Sequence, residues 1–201
     1  MKIIKLLILL LVACSLSAKA GVVKISGSLK QFGLDRVSMN SDGIAAEVYH
    51  DRTIEIILDS NGRFDLKLKL KQPAYYKVGH NTLYLTPGDD LEIIFNRNTT
   101  KTTFNGKGIE ANNYLRNSAK LSGWEIAKIG RELNEFGLPK EKVSFEVYRY
   151  KVDSIVDASL DALAHLTAVT PEFRELEQIR LEAYRLATYL DYFSVGQLSN
   201  Y

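Results

Sequence analysis

Phe64-Asp65-Leu66-Lys67-Leu68-Lys69-Leu70-Lys71 alternates apolar and charged residues without a break. Successive side chains of an extended chain point to opposite faces, so one face of this segment is wholly apolar and the other wholly charged. Such a segment is a half-buried strand of an antiparallel sheet with one wet face. Just upstream, Ile54-Glu55-Ile56 runs on to Leu58, and Asp59-Ser60-Asn61-Gly62 lies between the two segments. Asn-Gly readily takes the positive φ angles of a tight turn, so 54–58 and 64–71 are expected to pair as one hairpin.

Outward from this hairpin the same period-two spelling marks strands over 22–26, 36–39, 45–50, 75–78, 82–85 and 91–95. Pro87-Gly88-Asp89-Asp90 is a turn, with proline fixing φ and glycine free to take the left-handed position. Short strands broken by turn signals imply a sandwich or barrel. At Gly108 the period changes to that of a helix. Leu115, Ile126, Ile129, Leu133 and Phe136 form a first stripe, stopped by Gly137 and Pro139. Phe145, Tyr148, Val152, Ile155, Leu163 and Leu166 form a second. Thr170 caps a third helix with Pro171 in its first turn, and Phe173, Leu176, Ile179, Ala183, Leu186 and Leu190 are its expected core face. The expected fold is α+β, an antiparallel β-sandwich of about 7–9 strands followed by three amphipathic helices. The expected boundaries are a leader over 1–20, a β-sandwich domain over 21–105 and a helical subdomain over 106–201.

The leader is read from its own chemistry. Lys2 and Lys5 precede the apolar run Leu6 to Ala13, and Ala18-Lys19-Ala20 offers small residues where a signal peptidase cuts, before Gly21. The run falls short of the ~20 residues a membrane-spanning helix needs. Leu11-Val12-Ala13-Cys14 competes as a bacterial lipobox, in which Cys14 would carry the lipid. Both cleavages stay open, and lipid on Cys14 is the only membrane attachment expected. Lys2, Lys5 and Lys19 have no acidic neighbours in the leader, so removing three positive charges turns the formal +2 into −1 for residues 21–201. A nearly neutral surface makes no electrostatic case for nucleic acid. Cys14 is the sole cysteine, so residues 21–201 hold no disulfide and no thiol nucleophile.

Few residues invite chemistry. Gly106-Lys107-Gly108-Ile109-Glu110-Ala111 spells a dinucleotide-binding fingerprint, but the helix it opens leads to further helices and not to a second parallel strand. A flexible turn from the last strand into the first helix is the favoured reading. His50, His80 and His165 lack the spacings of metal or acid–base motifs, and no serine sits in a nucleophile elbow. Asp89 and Asp90 alone do not supply the six or more oxygen ligands calcium prefers, so they are read as turn residues. No catalytic, cofactor-binding or metal-binding residue is assigned, and no cofactor is expected. Tyr184, Tyr189, Tyr192 and Phe193 form the candidate partner surface, since tyrosines with apolar bodies and polar tips favour interfaces; a core-facing role weighs equally.

Asn61-Gly62-Arg63-Phe64, Pro73-Ala74-Tyr75-Tyr76, Leu83-Tyr84-Leu85-Thr86-Pro87-Gly88-Asp89-Asp90-Leu91, Phe104 to Gly108 and Asn112-Asn113-Tyr114-Leu115 together resemble one family. It is the N-terminal β-domain, of unknown function, that precedes thioredoxin-like TlpA/ResA-type oxidoreductases in the envelope of Gram-negative bacteria. Pro171-Glu172-Phe173 and the helix after it are similar to that family's helical connector. The resemblance spans roughly residues 21–195. It implies an envelope or periplasmic location, soluble or lipid-anchored. Family members continue into a thioredoxin domain with a Cys-x-x-Cys pair, whereas this sequence ends at Tyr201, so no redox residue carries over. The expected function is a non-catalytic envelope module for partner docking or self-association, with a protein partner or a homo-oligomer as its counterpart. A small-molecule or glycan-binding sandwich and a truncated redox protein are the alternatives.

Overall fold

The computed structural model describes residues 20–41, 53–117 and 144–198. The leader with Cys14, the strand expected over 45–50 with His50, and Ile126, Ile129, Leu133, Phe136, Gly137 and Pro139 lie outside the described residues. The chain is α+β and divides into two compact units, Met1–Ile109 and Glu110–Tyr201.

The first unit holds β1 (Gly21–Ser28), β2 (Arg36–Ser41), β3 (Thr53–Ile57), β4 (Arg63–Leu70), β5 (Ala74–Val78), β6 (Asn81–Leu85), β7 (Asp90–Ile94) and β8 (Thr103–Lys107). They form two four-stranded sheets, ordered β4-β1-β7-β8 and β3-β2-β5-β6. The alternation of β4 is realised as expected: Phe64, Leu68 and Leu70 are buried and Arg63, Asp65, Lys67 and Lys69 are exposed. Both sheets contribute to one core. Val23, Ile25 and Leu91 from the first meet Met39, Val78 and Leu83 from the second, and all six are essentially inaccessible to solvent. Each such side chain contributes roughly 1.5–3 kcal/mol on leaving water.

Two pairings differ from the sequence expectation. β3 and β4 are not a hairpin: β3 pairs with β2 in one sheet, and β4 pairs along its whole length with β1 in the other. The turn between them does reverse the chain. Asp59 accepts through Oδ1 from the backbone N–H of Asn61 and of Arg63, at 2.8 Å each, and Gly62 takes φ +72°. Leu29 N–H then donates to the Gly62 carbonyl at 2.8 Å, drawing the turn toward the end of β1. The five-residue connection, 58–62, is long enough to arch between sheets ~10 Å apart, so the same local chemistry serves an arch as well as a hairpin. The sandwich is also not wholly antiparallel, because β1 and β7 run parallel, with Ile25 opposite Leu91.

At the far end, β8 pairs with β7 through Lys107, so Gly106 is ladder and not a loose linker. Its φ is +99°, and a Cβ there would fall 2.2 Å from the Asp90 carbonyl oxygen, which only glycine avoids. One buried polar contact ties the two sheets. Thr102 is fully buried, donates from Oγ1 to Asn81 Oδ1 at 2.8 Å, and accepts from Asn96 N–H at 3.0 Å. Asn81 begins β6 in one sheet, and Thr102 directly precedes β8 in the other.

The second unit holds α1 (Ile109–Asn117) from its second residue on, α2 (Phe145–Ala164) and α3 (Pro171–Leu198). Ser144 Oγ accepts from Val147 N–H to start α2, and Thr170 Oγ1 accepts from Phe173 N–H at 3.1 Å to start α3, with Pro171 at the position that needs no donor. Arg174 reaches back from α3 and donates to the carbonyls of Leu163, Ala164 and Leu166, which the end of α2 leaves without helical partners.

Replacing Thr102 by valine keeps the shape and strips one hydrogen bond from buried Asn81 and one from the half-buried Asn96 N–H. Urea unfolding of Thr102→Val is expected to show a loss of about 1–3 kcal/mol relative to the unsubstituted chain. A loss within error would mean that the Asn81–Thr102 contact does not tie the sheets.

Candidate functional site

The chemistry of the second unit begins with how α2 and α3 pair. They run antiparallel, with Tyr148 donating to the Thr188 carbonyl at 3.3 Å near one end and Arg174 holding the other. Between these points Arg185 donates to Asp153 at 3.0 Å and to Asp157 at 2.6 Å, and its Nε lies 3.1 Å from Glu182. Burial alone would weaken the guanidinium's hold on its proton; the three carboxylates outweigh it, and its pKa is raised. Tyr189 donates to the same Asp153 carboxylate, and burial together with that bond raises its pKa.

About two turns before Arg185, Glu177 is fully buried and accepts two bonds of 2.6 Å from Arg180, a bidentate pair. The Arg180 guanidinium also lies 5.0 Å over the Tyr184 ring. Tyr114 of α1 donates to the Ser159 carbonyl at 3.0 Å, and burial, then the Glu177 charge, pushes its pKa upward. Phenols in this state stay protonated at neutral pH and act as donors, not as bases. Arg185, Asp153, Asp157, Tyr189 and Tyr114 thus fasten helices together, while Glu177 and Arg180 pair within α3.

These contacts rotate α3 away from the expected face. Its buried residues are Phe173, Glu177, Leu181 and Thr188. Of the expected core face only Phe173 is inside; Leu176 is 37% exposed, Ile179 59%, Leu186 61% and Leu190 68%, and Ala183 is exposed as well. The sequence reading followed apolar content, whereas the polar side chains of 177, 185 and 189 find their partners on α2 or within α3 and draw that side inward. Spacings of three between Glu177 and Arg180 and between Glu182 and Arg185 were visible as ion-pair signals, but not their burial.

The four aromatic candidates separate. Tyr184 is half-buried under Arg180; Tyr189 and Tyr192 are half-buried against α2, with the Tyr192 ring 5.0 Å from Tyr148 and 5.3 Å from Phe145. Phe193 remains 54% exposed, although its ring lies 5.0 Å from Phe145. It falls in line with the exposed row of α3. A second feature is an apolar groove of about 770 Å³ where α1 meets α2, bordered by Asn113, Tyr114, Ile155, Ala158 and Leu166.

The glycine-rich run is not built as a phosphate cradle. β8 is antiparallel to β7, and a Cβ at Gly108 would fall 2.7 Å from the Asp89 carboxyl carbon. A carboxylate thus occupies the place where a fingerprint would receive a pyrophosphate. Asp89 is buried at the turn, accepting from Thr86 N–H at 2.7 Å while its carbonyl accepts from Lys24 N–H. Asp90 is exposed, with Lys24 Nζ at 3.5 Å. His80 is exposed between β5 and β6, and His165 is the C-cap of α2, with Nδ1 2.8 Å from the Asp161 carbonyl oxygen. Among the described residues no three His, Cys, Asp or Glu side chains gather as metal ligands, and no helix is long and apolar enough to cross a membrane. Comparison of the chain with protein-family models, with curated proteins and with solved structures found no match.

Asp89 gives a pH signature. Burial raises its pKa above the ordinary 3.8, against the Thr86 hydrogen bond and the Lys107 charge. The folded state therefore holds this proton more tightly than the unfolded one, and the contribution is greatest at low pH and is lost as pH rises above 3.8. Asp89→Asn keeps an oxygen for Thr86 and removes the charge. The stability difference, variant minus unsubstituted chain, should increase with pH across the acid range in urea titrations. A difference independent of pH would refute the assignment.

Proposed function

We propose that this chain is a non-catalytic module of the envelope of a Gram-negative bacterium, whose helical unit docks a protein partner or a second copy. The observation that carries this reading is the row of large apolar side chains left in solvent on α3. Soluble monomers rarely keep a continuous apolar surface of this kind, and such surfaces mark association sites. The ion pairs and phenols around α3 support it from the other side, since they fasten the helix that presents the row. The leader supports export, with either Gly21 or a lipid-bearing Cys14 as the new N-terminus. Resemblance to the N-terminal module of TlpA/ResA-type oxidoreductases supports a role in positioning a partner, and residues 21–201 bring no thiol of their own.

The test is photo-crosslinking in cells. A photoreactive amino acid at Leu190, on the exposed row, is expected to yield discrete protein adducts, and the same group at Lys69, on the charged face of β4, is expected to yield none. Absence of any adduct from Leu190, with the protein exported and intact, would remove the docking function.

A further inference from the structure

The wet face of the first sheet carries its charges unevenly, and neither the core nor the docking row on α3 accounts for it. Lys67 and Lys69 alternate with buried Leu68 and Leu70 on β4, and exposed Lys71 follows directly. The register sets Lys24 of β1 opposite Lys67, and Val22 opposite Lys69. Lys24, Lys67, Lys69 and Lys71 thus gather toward the Gly21 end of the sheet, while Asp65 and Glu92 lie one row further on, at Ser26. Lysines two apart on a strand are about 7 Å from each other, within a screening length, and like charges opposite each other across strands oppose folding. Lys24 has Asp90 at 3.5 Å, but among the described residues Lys67, Lys69 and Lys71 enter no ion pair. β4 is an outer strand, where lysine discourages pairing with other chains; Lys24 belongs to an inner strand and has no such duty.

We infer that this lysine stripe is a docking surface for anionic lipid headgroups and holds the β unit against the surface of a bilayer. Three features favour a bilayer over an acidic protein or a nucleic acid. The first is where the chain enters the fold. Gly21 pairs with Leu70, so β1 begins beside Lys69 and Lys71. Cys14 is seven residues upstream, no more than about 25 Å along an extended chain, so a lipid there brings the stripe within reach of the membrane. The second is the long lysine stem, which lets ammonium groups on a broad sheet face follow a plane of headgroups. The third is Val22, which stays 45% exposed beside Lys24 and Lys69 and offers an apolar side chain to the headgroup boundary. Residues 21–201 total −1, so the attraction comes from segregation of charge and not from its sum. Each lysine at an anionic surface strengthens binding roughly fivefold, and the three outside ion pairs together about a hundredfold. That is too weak to hold a free chain and enough to orient a tethered one.

The experiment uses residues 21–201, the chain as cut before Gly21, which contains every described strand and helix and carries neither leader nor lipid. Vesicles of phosphatidylglycerol and phosphatidylethanolamine in equal parts are supplied at roughly 10 mM lipid in roughly 0.1 M salt, where charges more than about 10 Å away are screened. Cosedimentation is expected to exceed that with phosphatidylcholine vesicles at least about tenfold, and to be lost at roughly 1 M salt. Lys67→Glu combined with Lys69→Glu is expected to weaken binding by at least about tenfold with an unchanged thermal midpoint, because both side chains are in solvent. Lys30→Glu combined with Lys101→Glu makes the same change of net charge at the Ser28 end of the β unit, and is expected to leave binding within about twofold. Lys69→Gln and Lys71→Gln, which remove charge without adding acid, are each expected to weaken binding roughly fivefold whatever the double variant does to stability.

Absence of binding to the anionic vesicles overturns the inference, as does equal binding to phosphatidylcholine. Equal losses in the two double variants would assign the attraction to the charge of the whole chain and overturn the stripe. Discrete protein adducts from a photoreactive group at Lys69 would assign the stripe to a protein and overturn the lipid. The stripe belongs to the β unit, so the outcome at Leu190 bears on the docking function alone.

Discussion

The grip of Arg185 on Asp153 and Asp157 decides what the helical unit presents to its surroundings. The guanidinium is largely buried, with 17% of its side chain exposed, and it joins α3 to two successive turns of α2. A group of this kind tolerates few rotations of the helix that carries it, because a buried charge without its partners costs several kcal/mol. Tyr189, bound to the same Asp153, and Tyr148, bound to the Thr188 carbonyl, agree with that one rotation. The apolar line through Ile179, Leu186 and Leu190 is outside as a consequence. Hydrophobic burial alone would have favoured the reverse, so the polar contacts override the more apolar face.

The β unit has its own point of decision. Asp59 and Gly62 reverse the chain tightly, yet β3 and β4 part company at once and enter different sheets. β4 finds β1, whose eight residues match it throughout, and β3 finds β2. With β7 laid parallel beside β1, the first sheet draws its strands from both ends of the unit's sequence. Such pairing depends on long-range contacts, and it closes a shared core in which Phe64 and Phe95 lie 6.1 Å apart. Glycine is required where this closure is tightest. Gly106 crosses the Asp90 carbonyl, and Gly108 lies under the Asp89 carboxylate, which accounts for a glycine pattern that otherwise suggests a nucleotide.

The proposed function is one of surface. Among the described residues, Glu177 and Asp153 are engaged by arginines and Tyr114 by backbone. The same engagement makes α3 stiff, and stiffness is what an interaction surface needs, because fewer rotamers and fewer helical turns have to be ordered on contact.

Local chemistry was legible in the sequence. The alternation at Phe64 to Leu70 marked a strand and named its buried face; Ser144 and Thr170-Pro171 marked helix starts; Gly108 marked the change from strand to helix. These features depend on neighbours within a few residues, so the spelling alone determines them. The partner of β4, the parallel course of β7 and the rotation of α3 were not legible. A turn states that the chain reverses, not which strand lies beside it, and a helix with an apolar row on one side and charges and phenols on the other does not state that the polar side meets its neighbour. Tertiary structure decided both, through contacts between residues far apart in the chain: Leu29 with Gly62, and Arg185 with Asp153.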